Sequence, residues 1–144
     1  MIMSQLQSFD VPTPVKLSAA WAATVLCYIY CDYFALYVPG KLQGVMEGIG
    51  PFGPVSQGSL LAAGVLLIIP GVMVFLCVVT RSVVSRVLNI ALGAGYTILM
   101  LLLAFTTRWY FYKLFAVVEA LLTAAIAWMA WKWPKLNSVA GISR

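Results

Sequence analysis

Charge is scarce in this chain. Four acidic and nine basic residues make up 9% of 144 positions, and histidine is missing altogether. The lack of histidine excludes His-ligated haem, His-based zinc sites and any imidazole proton switch, so proton chemistry must fall to carboxylates, tyrosines or lysines. Cysteine is limited to Cys27, Cys31 and Cys77, an odd number without C-x-x-C spacing, which gives no disulfide framework and no thiol redox pair. Cys27 and Cys31 share a helix face at i, i+4, but no further soft ligand stands beside them, and they read as small buried hydrophobes. No Ser-His-Asp set, metal-ligand cluster or Gly-rich phosphate loop opening a helix is present, so neither an enzyme nor a bound cofactor is expected. The net charge of +5 comes from basic residues scattered at the ends of apolar runs. That pattern gives no stripe for nucleic acid.

Apolar residues fill 63% of the sequence, and its mean hydropathy is +0.99. Soluble domains are nearer half apolar and a quarter charged, and a water-soluble globule of this composition would expose large apolar patches. Four runs reach the ~20 residues that a ~30 Å hydrocarbon core requires: 17–38, 58–79, 87–105 and 109–131. They are continuous and lack a period of two, which favours helices over barrel strands. The fold expected is therefore all-α, an integral membrane four-helix bundle. Residues 1–16 form a polar N-terminal tail, 17–133 the transmembrane domain and 134–144 a polar C-terminal tail. The N-terminal tail has Asp10, Pro12 and Pro14 and no basic region, so it does not read as a signal peptide.

Basic residues give the orientation. Lys16, Arg81, Arg86, Lys132, Lys135 and Arg144 fall on the side of both termini, against Lys41, Arg108 and Lys113 on the other, which places both termini in the cytoplasm. Short connections make the second and third runs, and the third and fourth, antiparallel neighbours. The connection at 39–57 is longer and rich in glycine and proline. Leu42, Val45, Met46 and Ile49 suit a short interfacial helix there, and the segment is either a lid over an outer cavity or a linker lying on headgroups. Pro70-Gly71 should bend the second run. Ala91 and Gly95 have the small-xxx-small spacing of closely packed helices. Trp109, Tyr110, Tyr112, Trp128, Trp131 and Trp133 bracket the fourth run as an interfacial aromatic belt.

Two acids stand inside these runs, where a carboxylate is costly and needs a partner, a proton or a water-filled cavity. Asp32 is ~9 Å below Val38 by helix rise, and Lys113 ~6 Å below Trp109, so an ion pair between the first and fourth runs is expected, unless Lys113 snorkels to the headgroups. Glu119 is ~15 Å down, near the midplane, with no cation at its level. It is expected to hold a proton at neutral pH. Tyr96, ~13 Å down the third run, is its candidate partner; Tyr28 shares the face of Asp32, and Thr123 shares that of Glu119. Tyr30, Tyr33 and Tyr37 make a second stripe, either a vestibule for a cation or aromatic compound or a set of interface anchors.

The segments Tyr28-Ile-Tyr-Cys-Asp-Tyr-Phe-Ala-Leu-Tyr-Val-Pro-Gly-Lys41, Gly50-Pro-Phe-Gly-Pro-Val-Ser-Gln-Gly58 and Ala130-Trp-Lys-Trp-Pro134 resemble a bacterial family of four-span membrane proteins, a domain of unknown function. The resemblance covers nearly the whole chain and implies a four-helix fold in the bacterial inner membrane with no assigned activity. The layout is also loosely similar to DoxX-like four-span proteins, some of which associate with membrane redox complexes. Two functions are expected to compete. One is a proton- or cation-linked carrier or channel, acting as an oligomer through Asp32 and Glu119. The other is a non-enzymatic accessory or lipid- or small-molecule-binding subunit of a larger complex. The partners expected are the lipid bilayer and either further copies of the chain or another membrane protein.

Overall fold

The structure is a computed structural model that describes residues 10–50 and 53–134. Lys135 and Arg144, used above for orientation, lie outside the described residues, as do Pro51 and Phe52. Five helices and one minimal strand pair follow in order: α1 (Thr13–Ala35), α2 (Lys41–Met46), β1 (Ile49–Gly50), β2 (Gly53–Pro54), α3 (Gln57–Val79), α4 (Ser82–Thr106) and α5 (Tyr110–Trp131). The four long helices are each long and apolar enough to cross a membrane.

Local chemistry sets the helix starts. α1 begins four residues before its apolar run, because Pro12 takes the N-cap and another proline lies within the first turn, where the missing N–H has no helical partner to lose. α3 opens on a capping box: Ser56 accepts from the Ser59 backbone N–H, and the Ser59 hydroxyl accepts from the Ser56 N–H. α1 stops at Ala35, three residues short of Val38, and the chain turns through Pro39 into α2. Gly48 ends α2 with φ +80°, a left-handed conformation that glycine adopts freely.

α2 packs chiefly on β1, itself paired antiparallel with β2 through Ile49↔Pro54 and Gly50↔Gly53. It buries no residue, and Met46 is 80% exposed. α2 therefore places no side chain in the bundle core, which suits a linker with a short helix better than a lid.

α1 and α5 pack together at the centre, with α3 against the other side of α1 and α4 against the other side of α5. One end of the bundle carries the described chain ends and the Thr80–Arg81 turn; the other, the loop end, carries the 36–56 segment and the turn before Tyr110. The short connection between α3 and α4 does not make them close neighbours as expected. α3 packs on α1, and α4 on α5. Trp21 and Tyr28 of α1, Met73 of α3, and Tyr96 and Met100 of α4 belong to one buried core cluster.

The close pair is α4 with α5, and Gly93 makes it so. A Cβ at this position would lie 3.0 Å from Ala127 N, 3.0 Å from Thr123 O and 3.1 Å from Ala127 Cβ. The expected Ala91–Gly95 motif does not serve this contact: both residues are exposed, and nothing approaches within 4 Å of a Cβ built on Gly95. The period of α4 explains the shift. Its buried line runs Ser85, Asn89, Gly93, Tyr96, Met100, which turns positions 91 and 95 outward.

Candidate functional site

The core stripe of α5 reads Ala116, Glu119, Ala120, Thr123, Ile126, Ala130. An acid thus occupies a position that the helix otherwise fills with small or apolar side chains. Glu119 is 3% exposed, and its Oε1 has no hydrogen-bond partner. Tyr28, on the α1 stripe Leu17, Trp21, Thr24, Tyr28, is 7% exposed, and its hydroxyl is also unpartnered. The two groups lie within electrostatic range of each other. By helix rise, Glu119 is ~13 Å from the start of α5 and Tyr28 ~10 Å from the end of α1, so they sit at similar depth from the loop end.

Tyr96 does not partner Glu119. Its hydroxyl donates to the backbone carbonyl of Leu66 on α3 at 2.5 Å. The cause lies four residues further along α3: Pro70 has no N–H, so the Leu66 carbonyl has lost its helical donor. Tyr96 supplies the replacement from across the seam. Its ring meets Trp21 edge-on at 5.9 Å and an interplanar angle of 83°, and Tyr28 at 6.5 Å and 32°. Tyr96 thus links the rings of Trp21 and Tyr28.

Thr123 shares the face of Glu119, but its hydroxyl serves backbone and helix packing. It donates to the Glu119 carbonyl at 2.9 Å and lies 2.9 Å from the Thr97 hydroxyl of α4.

Asp32 and Lys113 do not pair. Among the described residues the ion pair found is Lys16–Asp10 at 3.6 Å. Lys113 instead lies 5.7 Å from the centroid of the Tyr110 ring. Asp32 is exposed. The buried face of α1 passes from Tyr28 to Ala35, a seven-residue step that leaves position 32 on its flank. Because α1 ends at Ala35, Asp32 is only ~4.5 Å from the helix end, with Lys41 in electrostatic range. Asp32 thus lies near the edge of the bundle, unpaired with Lys113 but within electrostatic range of Glu119. Of the tyrosine stripe, Tyr30, Tyr33 and Tyr37 are all exposed, and Tyr33 and Tyr37 bond each other at 2.7 Å.

A second polar cluster, toward the terminal end, is absent from the sequence reading. Asn89 Oδ1 accepts from Trp21 Nε1 at 2.7 Å and from the Cys77 thiol at 3.4 Å, while its Nδ2 donates to the Ser85 carbonyl at 2.8 Å. All four side chains are buried and satisfied, which identifies a structural clasp between α1, α3 and α4. The signal was available: Ser85, Asn89 and Gly93 repeat every four residues in an apolar run. Arg86 is also more than a topology marker. It donates to the Ala130 and Trp131 carbonyls at 3.2 and 3.0 Å and so caps the C-terminus of α5. Among the described residues no group of His, Cys, Asp and Glu could hold a metal ion.

Residues 8–140 match the model of a family of unknown function, DUF6326. The chain belongs to this family. No curated protein and no solved structure matches it. Membership of DUF6326 brings no assigned chemistry, so a functional reading rests on the buried Glu119–Tyr28 pair.

Proposed function

We propose that this DUF6326 member is a multi-pass protein of the bacterial inner membrane with both termini in the cytoplasm. It acts as an oligomer in proton- or cation-linked transport, with Glu119 as the working group. Large apolar side chains cover the outside of the four long helices, among them Leu61 at 68%, Phe75 at 65% and Val83 at 75% exposure, and lipid is the solvent such a surface suits. Within the described residues, Lys16, Arg81, Arg86 and Lys132 mark one end, against Lys41, Arg108 and Lys113 at the other, which supports cytoplasmic termini.

The observation that carries the transport reading is Glu119 Oε1, buried within electrostatic range of the Tyr28 hydroxyl, with neither oxygen satisfied. Leaving a buried polar group unpaired costs roughly 1–3 kcal/mol, and more for a charged one. An apolar residue of similar volume would remove that cost, so stability gives no reason for an acid at this position. Intramembrane acids facing a bundle interior mark ion and proton pathways. The test is proton uptake into liposomes carrying the purified protein, followed with an entrapped pH dye. Uptake should exceed lipid leak and vanish in Glu119→Gln with helicity and oligomer size unchanged. Equal uptake by Glu119→Gln, or none by the native protein, removes the reading.

A second reading rests on α3. Between Gln57 and Ile69 this helix buries no side chain in the bundle, which leaves an apolar flank free for a neighbouring subunit or a lipid. An accessory subunit, as the loose DoxX-like layout implies, would use that flank. Co-purification of a membrane partner with Glu119→Gln as with native protein would favour it.

A further inference from the structure

We infer that the half of α3 before Pro70 is a gate over the Glu119–Tyr28 pair, latched by the hydrogen bond from Tyr96 to the Leu66 carbonyl. The gate deepens the transport reading by supplying the access that a sealed acid requires.

Four observations support it. Water has essentially no surface to touch on Glu119 Oε1 or the Tyr28 hydroxyl, so nothing bulkier than a proton reaches them in this closed arrangement. An element must therefore move if the site exchanges anything with its surroundings. Among the four long helices the longest stretch without a buried side chain is Gln57–Ile69, whose side chains are all exposed or only half-buried; burial on α3 begins at Pro70 and continues at Met73 and Cys77. The anchored half is tied further by Ser18, which donates to the Val74 carbonyl at 2.7 Å. Between the two halves stands Pro70, where the helical hydrogen bond to Leu66 is missing and bending is easy.

One cross-helix bond spans the seam at that level. Tyr96 donates to Leu66 while its ring stacks beside Tyr28. The tyrosine that fastens the loose half of α3 is thus also a wall of the buried pair. Release of one hydrogen bond frees the half-helix to swing about Pro70, opens the seam between α3 and α4 and uncovers the face of Tyr28. The α4–α5 side cannot serve this way, because Gly93 and Ala127 hold those backbones in contact.

Tyr96→Phe removes the latch and keeps the ring. Met100, buried one turn from Tyr96 toward the loop end, is the reporter position. With Met100→Cys in the full chain in liposomes, a water-soluble methanethiosulfonate reagent is applied, and modification at that position is followed by mass spectrometry. Adding Tyr96→Phe should raise the rate about tenfold, as loss of one hydrogen bond allows. Adding Pro70→Ala as well returns a helical N–H to Leu66 and stiffens α3, so the rate should fall back. Unchanged labelling in Tyr96→Phe overturns the gate. The unmodified protein offers a second test that needs no variant to fold. Amide hydrogen exchange in 58–69 should be at least about tenfold faster than in 71–79, and equal protection overturns the gate. The outcomes separate the two ideas. Faster labelling with no proton uptake by native protein leaves the gate and removes transport; uptake with unchanged labelling does the reverse.

Discussion

Gly93→Ala adds one methyl group at the tightest point in the bundle. Its carbon would meet Ala127 N and Thr123 O at 3.0 Å and Ala127 Cβ at 3.1 Å, where ordinary contact begins near 3.4 Å. Two of these three atoms are backbone of a rigid helix, so no rotamer change can relieve them. α4 and α5 must part by a few tenths of an ångström along their shared face, which also stretches the Thr97–Thr123 hydrogen bond. Overpacking of this kind costs about 1–3 kcal/mol, while replacing glycine by alanine inside a helix returns up to about 1 kcal/mol. With the full propensity gain returned, the net expectation is a loss of up to roughly 2 kcal/mol. Gly95→Ala is the matched control, two residues away on the same helix with nothing in reach of its Cβ. It collects only the helix-propensity gain and should be neutral or stabilised by up to about 1 kcal/mol. Reversible unfolding in mixed micelles, followed by circular dichroism, measures both. Gly93→Ala as stable as Gly95→Ala would refute the close approach of α4 and α5.

Asn89→Ala should destabilise by about 1–3 kcal/mol in the same assay, because it leaves the Trp21 indole N–H buried without an acceptor; indole fluorescence should shift with it, and an unchanged midpoint would argue against the clasp. Ser56→Ala should cost about 1 kcal/mol through loss of the α3 N-cap, read as faster amide exchange in the first turn of that helix. Glu119→Leu should raise the unfolding midpoint, since a buried unpaired carboxyl gives way to an apolar side chain of similar volume; a lower midpoint would mean that the acid has a stabilising partner.

The helices were legible in the sequence because a long apolar run leaves the backbone few alternatives. Their packing was less so. Pro12 and Pro14 extended α1 toward the N-terminus, and the Val38-Pro39-Gly40 turn shortened it at the other end, which moved Asp32 from presumed depth to an edge. Small-residue spacing alone could not say which glycine faces a partner: Gly93 and Gly95 differ only in phase against Asn89 and Tyr96. Short connections also misled, because the length of the Thr80–Arg81 turn does not set which helices pack closely beyond it: α3 packs on α1, and α4 on α5. The pairing of Tyr96 with Leu66 could have been anticipated. A proline inside a helix names the carbonyl it orphans four residues earlier, and a tyrosine at similar depth on the following helix is a ready donor. The burial of Glu119 followed from its place in an alanine-rich line on α5, whereas the lack of a partner for it had no signature in one dimension.

These features divide the bundle into halves of different stiffness. α4 and α5 meet backbone to backbone at Gly93, and α5 is capped from α4 by Arg86. Toward the terminal end, the Asn89 clasp ties α1, α3 and α4 through four satisfied side chains. Nothing comparable fastens the loop-end half of α3, where the described cross-helix polar contact is Tyr96 on Leu66. By helix rise, Tyr28 and Glu119 lie near the level of Leu66 and Tyr96. A sequence shaped only for stability would fill position 119 with leucine and position 70 with a residue that keeps its N–H. This chain has a buried acid at the first and, at the second, a proline that removes a helical hydrogen bond, which Tyr96 replaces from α4. Local rules broken in two places on one level of a bundle, each without a stability gain, are the pattern expected where movement and a proton share a site.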